Sequence, residues 1–349
     1  MDEMEVILKE SFEKILENFC DKDLLEESES KGVPKQLLDT LEEFGIYKIG
    51  IDEADGGSGF EKKHGMELAV IAGKYALPIP LTSILFSNWV SYQEKLYSKY
   101  HLSCGPFDQK ITINSDKEYL VKGKIENIYG YTKGNDILVI GTNERGEDYF
   151  VLLDVSQLEL QIKHNLSNEP VYSVELVNHS PKLVKPIESS VVNYYFSLQL
   201  LLNLAVATGA LKKIVELTIE HANTRIQFGK QIGSFQMIKN NITIMAESVK
   251  QAEIMTRTCI ESLKDEMDHQ YYLELMVAKL KVCEAISTAA AIAHQIHAAM
   301  GFTQEHILHY YTRKLWSLRE EYQSESYWSQ EIGRFILAEE TGLWELVTQ

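Results

Sequence analysis

The stretch Arg225-Ile-Gln-Phe-Gly-Lys-Gln-Ile-Gly-Ser-Phe-Gln236 lies between two long segments with helical hydrophobic periodicity. It brings an arginine, a glutamine, an aromatic residue and two glycines into one polar, turn-forming joint. An arginine offers five donors in a fixed geometry suited to phosphate, and a phenylalanine offers an aromatic face. The joint therefore predicts a segment that presents side chains to a ligand. A helix–helix turn whose arginine caps helix ends is the alternative.

Composition excludes several classes of protein. The chain has 349 residues, enough for two or three domains, and a net charge of −17. Such a charge argues against general nucleic-acid binding, which needs a basic face. The acidic start Met1-Asp-Glu is unlike a signal peptide, and we expect no membrane span. Four scattered cysteines without CxxC pairs favour reduced thiols in a cytoplasmic protein.

The distribution of proline divides the chain into three parts. All seven prolines lie at or before Pro186, so long helices are permitted after it. Short β-branched and aromatic runs separated by turn residues concentrate between about 108 and 187. We therefore expect an α+β chain with an N-terminal α-helical domain (1–107), a middle antiparallel β-barrel or sandwich (108–187) and a C-terminal four-helix bundle (188–349).

Local patterns predict the individual elements. Helical periodicity predicts helices near 4–18, 36–44, 63–76, 81–97, 190–224, 235–263, 272–300, 304–321 and 325–338. The residues expected on the buried face of the first helix are Val6, Ile7, Leu8, Phe12, Ile15 and Leu16. Gly301 is expected to end the helix at 272–300 as its C-cap. Strand patterns occur at 111–114, 119–125, 136–140, 148–153, 158–162 and 172–177.

The wording RxQFGxxIxxFQ of the joint closely resembles the connection between two long helices in the C-terminal domain of the acyl-CoA dehydrogenase family of flavoenzymes. The resemblance continues over essentially the whole chain and implies that family's fold. Motifs in the family's order also occur before the joint: Phe44-Gly-Ile46, Gly56-Gly-Ser-Gly59, Pro78-Ile-Pro80, Lys122-Gly-Lys124 and Gly134-Asn-Asp136. The family's T-E-x-x-x-G-S-D loop has no counterpart within 98–114, where Ser103-Cys-Gly-Pro106 is the nearest turn.

The resemblance implies FAD as the cofactor, bound largely by a neighbouring subunit. Positions that match the family's flavin contacts in the joint are Arg225, Gln227, Phe228 and Gln236. These four residues are our candidate cofactor-binding residues in this part of the chain.

A second segment, Gln295-Ile-His-Ala-Ala-Met-Gly301, resembles the family's Q-x-x-G-G-x-G segment, which meets the cofactor's pyrophosphate. Gln295, Gly301 and the later Arg313 match the family's residues. Gln295 and Gly301 are further cofactor-binding candidates. The two middle glycines of the family are Ala298 and Ala299 here. Their backbone N–H groups remain, but alanine hinders close approach of a phosphate.

The family's reaction needs a carboxylate base in an apolar pocket to remove the α-proton of an acyl thioester. The ungapped count from the second segment places Tyr322 at the usual base position. A shift of one residue makes Glu321 the catalytic base, and a solvated helix end at 319–321 is the alternative. Some family members place the base at the start of the first long C-terminal helix. The count there reaches Gln199, an amide that cannot act as a base.

A metal site is a weaker interpretation of the histidines. His294 and His297, like His306 and His309, are three residues apart and would share helix faces. No carboxylate or cysteine completes an evident ligand set, so we expect no metal.

The chain is identified as a short member resembling subunits of heteromeric or atypical acyl-CoA dehydrogenases. The implied function is FAD-dependent oxidation of an acyl thioester, on CoA or an acyl-carrier protein, to the α,β-enoyl thioester in fatty acid metabolism. Electrons would pass to an electron-transfer flavoprotein from a homo- or hetero-oligomer, a dimer or a tetramer. One alternative is a catalytically degenerate subunit that supplies flavin contacts to a partner chain. Another is a scaffold protein without flavin.

Overall fold

The computed structural model describes residues 3–96, 102–114, 118–131, 135–156, 158–264 and 268–338. Gly134, part of one of the motifs above, lies outside these residues, as does Tyr97, the last residue of the helix predicted over 81–97. Compact packing separates two units, Met1–Asn203 and Leu204–Gln349. The division into three domains remains a prediction.

Helices open the first unit. They are α1 (Glu3–Phe19), α2 (Lys22–Lys31), α3 (Lys35–Glu43), α4 (Lys62–Lys74) and α5 (Leu81–Gln93). The sequence patterns did not predict α2, because it is short and acidic and buries only Leu25. Its start is fixed by Asp21, whose carboxylate accepts a hydrogen bond from the backbone N–H of Leu24 at 2.8 Å. A cap of this kind stabilises a helix by about 1 kcal/mol.

The buried face of α1 is smaller than the periodicity predicts. Phe12, Ile15 and Leu16 are buried, but Ile7 is 51% exposed. Val6 and Leu8 are only half-buried. The expectation for Ile7 was therefore wrong. Glu5, which the helix places on the side opposite to Ile7, is the residue of this turn that contacts α4, through His64 Nε2 at 2.9 Å.

A mixed sheet fills the rest of the first unit. Its strands are β1 (Leu102–Cys104), β2 (Lys110–Asn114), β3 (Leu120–Ile128), β4 (Asp136–Asn143), β5 (Asp148–Leu153), β6 (Gln161–His164), β7 (Pro170–His179) and β8 (Leu183–Ile187). The order is β6-β7-β3-β2-β4-β5-β8, with β1 beside β4. β4 runs parallel to β1 and β2, and the other pairings of the described sheet are antiparallel.

Alternating side chains of these strands form the core of the sheet. They include Ile113, Val121, Ile125, Val139 and Val151, each buried. The prediction for β6 was displaced by three residues, and β1 and β8 were missed because β1 has only three residues and β8 lacks a clear alternation.

The remaining helices are α6 (Ser189–Thr224), α7 (Gln236–Glu261), α8 (His269–His297), α9 (Leu308–Glu320) and α10 (Glu325–Ala338). By length and composition alone, α6 could cross a bilayer. We had expected no segment of the chain to be apolar over such a length. However, 83% of its apolar window is buried inside the protein, as in the core helix of a bundle.

The end of α8 differs from the predicted one. The helix stops at His297, and Ala298 follows with φ 52° and ψ −135° at the start of a 3₁₀ turn, Ala298–Phe302. Gly301 is therefore not the C-cap. It is a buried glycine at a close contact, where a Cβ would lie 3.0 Å from the Cβ of His297.

Candidate functional site

The joint Arg225–Gln236 contains a β-hairpin in the second unit. Strands β9 (Ile226–Gln227) and β10 (Lys230–Gln231) pair in antiparallel fashion. Phe228 and Gly229 form the two-residue turn with φ values of 53° and 78°, as a type I′ turn requires. Phe228 is 91% exposed, although its ring meets that of Phe235 edge-to-face at 6.1 Å between centroids. An exposed phenyl ring on a left-handed backbone indicates a role in contacting another molecule.

Backbone hydrogen bonds hold the base of the hairpin. The N–H of Arg225 donates to the carbonyl of His221 at 2.9 Å, and the N–H of Ile232 donates to the carbonyl of Arg225 at 2.9 Å. The side chains of Arg225, Gln227 and Gln236 are exposed. The hairpin therefore presents a guanidinium, amides and an aromatic ring from a fixed backbone.

The second predicted segment lies at the end of α8 and lines an open groove of about 440 Å³. Its lining residues are Ser287, Ala290, Ala291, His294, Gln295, Phe302 and Trp316. His294 stacks on Phe302 with ring centroids 4.4 Å apart and an interplanar angle of 22°. Gln295 is exposed at this groove, whereas Gly301 is buried behind it. Arg313 is half-buried, with its guanidinium carbon 5.5 Å from the ring centroid of Tyr310.

Alanine replaces glycine at a strained position. Ala298 has φ 52°, in the region that favours glycine, and its N–H donates to the carbonyl of His294. Such a conformation costs a non-glycine residue about 1–3 kcal/mol. The turn thus keeps a glycine-like backbone despite the substitution. An arginine, several amides and an aromatic face form a donor set that fits a phosphate-bearing nucleotide such as FAD.

Histidines from three parts of the second unit pack together. His221 at the end of α6 stacks on His297, with ring centroids 4.4 Å apart. His306 lies 4.7 Å from His297 by the same measure. The sequence spacing paired His294 with His297, but it gave no sign of His221, which is distant in the chain.

The surroundings of the clustered histidines disfavour their charged forms. Burial, with repulsion from His297, His306 and Arg225, lowers the pKa of His221 to about 4. Burial also lowers the pKa of His297 and of His306. No group of three or more His, Cys, Asp or Glu side chains in the described part of the chain could hold a metal ion.

The candidate base lies where α9 ends. Glu321 is half-buried, and its Oε1 accepts a hydrogen bond from Ser317 Oγ at 3.4 Å. Glu320 is exposed, so the two neighbouring carboxylates have different surroundings. Tyr322 and Gln323 follow with φ values of 55° and 75°. The residue in register with the family's base is thus a tyrosine on a left-handed backbone, beside a partly shielded glutamate.

The alternative base position, Gln199, is structural. Its Oε1 accepts from the N–H of Phe107 at 2.9 Å, and its Nε2 donates to the carbonyl of Gly105 at 3.1 Å. Gln199 is only 7% exposed. Phe107 in turn packs edge-to-face on Phe86 and Tyr195. An amide is needed here because one side chain must both accept and donate, and we find no base at this position.

A family model and several known proteins are similar to parts of this chain in sequence. The family model described as acyl-CoA dehydrogenase, C-terminal domain, matches residues 190–319. The acyl-CoA dehydrogenase IpdE2 of Mycobacterium tuberculosis is 32% identical over 106 residues, covering 30% of this chain and 31% of that protein. The matched segment spans about a third of the length of the curated relatives.

Solved structures match over nearly the whole chain. A chain of the ChsE4-ChsE5 complex from Mycobacterium tuberculosis has a TM-score of 0.87 at 17% identity, covering 98% of this chain and 99% of that one. PigA, solved with FAD and proline, has a TM-score of 0.81 at 17% identity, covering 96% of this chain and 97% of that one. These likenesses confirm the predicted fold. Together with the domain match, they show that the chain has the acyl-CoA dehydrogenase fold and that its residues 190–319 are similar to the C-terminal domain of that family.

Proposed function

We propose that the chain takes part in the FAD-dependent oxidation of an acyl thioester to its α,β-enoyl thioester. The observation that carries the proposal is the exposed hairpin, in which Phe228 stands on a left-handed turn three residues from Arg225. The cofactor is FAD, consistent with the domain match and with PigA, whose structure contains FAD.

Four exposed polar side chains of the second unit would hold the cofactor. The guanidinium of Arg225 supplies charge-assisted hydrogen bonds to phosphate. The amides of Gln227, Gln236 and Gln295 supply neutral donors and acceptors, and Phe228 supplies an aromatic surface. Because these groups are exposed rather than enclosed by this chain, a second chain completes the site. The protein is therefore a homo- or hetero-oligomer, a dimer or a tetramer.

Glu321 is the proposed base for the α-proton. Its side chain is half-buried and accepts a hydrogen bond from Ser317 Oγ at 3.4 Å, so the carboxylate is partly withdrawn from water. FAD, when bound, supplies the acceptor for the β-hydride. The acyl group is carried by CoA or by an acyl-carrier protein, and an electron-transfer flavoprotein takes up the electrons. We place the reaction in the cytoplasm, because the cysteines are free thiols.

A second candidate function is a subunit that supplies flavin contacts to a catalytic partner. Two observations favour it: Tyr322 stands in register with the family's base, and both ends of the Gln199 amide are engaged by backbone groups. ChsE4-ChsE5, which has the same fold, is a complex of two different chains by name. In this arrangement the hairpin still contacts FAD, and the base belongs to the partner.

The visible absorbance of the purified chain distinguishes these functions. A flavin band close to one FAD per chain, in the chain alone, supports the first function. A colourless chain that acquires the band only with the product of a neighbouring gene supports the second. A chain that stays colourless with added FAD, with and without that partner, contradicts both.

A further inference from the structure

A buried lysine holds the C-terminal end of α9. Lys279 lies on α8 and is 1% exposed. Its Nζ donates to the carbonyls of Leu318 at 3.2 Å, Arg319 at 3.2 Å and Glu321 at 2.8 Å. An ammonium has three donors, so these three bonds use its full capacity. One side chain thereby fixes three backbone groups where α9 gives way to the loop.

Further contacts fix the same loop. The indole Nε1 of the buried Trp328 donates to the carbonyl of Tyr322 at 2.8 Å. Arg319 forms a bidentate pair with Glu325, at 2.9 Å from Nε and 3.0 Å from the terminal nitrogen. The carbonyls of two consecutive residues, 321 and 322, are therefore held by buried donors from different helices.

The loop needs this support because its backbone is strained. Tyr322 and Gln323 both have positive φ, which costs a non-glycine residue about 1–3 kcal/mol. Two such residues in succession persist only where the surroundings determine the conformation. The loop that carries the candidate base is thus a strained segment fixed from the interior.

Opposing effects act on the charge of Lys279. Burial lowers its pKa, while the carboxylates of Glu321, Glu320 and Glu325 favour the charged form. The negative end of the α9 dipole adds to that attraction. A buried charge often stabilises a fold no better than an apolar side chain of the same size. An apolar side chain could not hold the three carbonyls in position, because it has no hydrogen-bond donors.

We propose that Lys279 is a positioning residue that fixes the loop 318–323 and, through it, the direction in which Glu321 is presented. The effect of Lys279 on catalysis rests on the proposed function. The fixed geometry of the loop can be tested independently of that function. Lys279 does not touch the reacting atoms.

The test uses hydrogen–deuterium exchange of the full chain with Lys279→Met, which keeps the length of the side chain and removes its donors. We expect the amides of 319–326 to exchange at least tenfold faster, while α6 and α7 remain protected. Lys281→Met is the matched control, since the side chain of Lys281, on the same helix, is 39% exposed and pairs with Glu284. It should leave the exchange of 319–326 unchanged.

A kinetic readout separates positioning from a merely structural role. With a series of saturated acyl-CoA thioesters, kcat per bound flavin should fall at least tenfold in Lys279→Met and KM should change less than twofold. Unchanged exchange of 319–326, or unchanged kcat per flavin beside an active wild type, overturns the proposal. If Lys279→Met does not fold, Trp328→Phe is used instead, because it removes the donor to the carbonyl of Tyr322. This variant must show faster exchange of 319–326 and a lower kcat with little change in KM. A wild type that is inactive with acyl thioesters of both CoA and acyl-carrier protein contradicts the first proposed function, and exchange then decides the loop geometry alone.

Discussion

The side chain of Gln199 accepts a hydrogen bond from the N–H of Phe107 at 2.9 Å and donates one to the carbonyl of Gly105 at 3.1 Å. A glutamate at 199 could accept but could not donate, so its oxygen would face an unpaired carbonyl. This relationship explains why the alternative base position of the family holds an amide. A substitution at position 199 therefore tests whether this residue has a structural or a catalytic role.

Gln199→Glu should therefore destabilise the protein without creating a base. We expect the free energy of unfolding to fall by about 1–3 kcal/mol, the cost of a buried unsatisfied group. Denaturant unfolding measures this, with Gln161→Glu on the exposed strand β6 as a neutral control. A variant as stable as the wild type, or one that restores activity to Glu321→Gln, would contradict the structural role.

Ala298→Gly should stabilise the protein. Glycine adopts φ 52° without the steric cost borne by alanine, so relief of strain should exceed the added entropy of the unfolded chain. We expect a gain of about 1 kcal/mol in the free energy of unfolding. Ala299→Gly is the control, because Ala299 has an ordinary φ. That variant should lose about 0.5 kcal/mol. The reverse ranking of the two variants would show that Ala298 is unstrained.

Acidification should destabilise the second unit through the stacked histidines. The pKa of His221 is about 4 in the folded protein, against about 6.5 in an unfolded chain. Between these values the unfolded state binds more protons, so stability is present above about pH 6.5 and is lost as pH falls towards 4. Thermal unfolding across this window should show a falling Tm.

His221→Gln should flatten that pH dependence, because the titrating ring beside His297, His306 and Arg225 is removed. His269→Gln is the matched control, since His269 is exposed. An equal loss of pH dependence in both variants would assign the effect to the net charge of the protein rather than to the cluster.

Phe228→Ala should separate stability from flavin binding. The ring is 91% exposed, so its removal should change the free energy of unfolding by less than about 0.5 kcal/mol. Loss of an aromatic contact should raise the Kd for FAD roughly tenfold, which corresponds to about 1.4 kcal/mol. Fluorescence titration with FAD measures the second quantity. Val177→Ala on β7, 71% exposed, is the control and should affect neither.

Local signals predicted much of this fold. The long helices of the C-terminal part follow from apolar periodicity without proline, and β5 has the predicted limits because turn residues bound it. The hairpin at Phe228-Gly229 lies where turn-forming residues interrupt the helical pattern. Parallel pairing of β4 with β1 and β2 is a non-local property, so the strand patterns did not contain it.

The candidate site was less accessible to sequence reasoning. The exposed residues of the hairpin are consecutive, so one motif could identify them. His221 meets His297 only through tertiary packing, and Gly301 proved to be a close-contact glycine rather than a helix cap. Lys279 carried no signal, because the carbonyls that explain its burial are backbone groups about 40 residues away. The choice between Glu321 and Tyr322 depends on a register of one residue, which packing alone does not decide.

The most direct test of the central claim is anaerobic bleaching of the bound flavin by saturated acyl thioesters, in the wild type and in Glu321→Gln. The flavin-loaded chain is used, with its partner if the partner is needed for loading. We predict loss of the oxidised flavin band in the wild type and its persistence in Glu321→Gln at equal flavin content. Equal bleaching in both proteins would contradict the assignment of Glu321. A flavin that no acyl thioester reduces would contradict the proposed reaction.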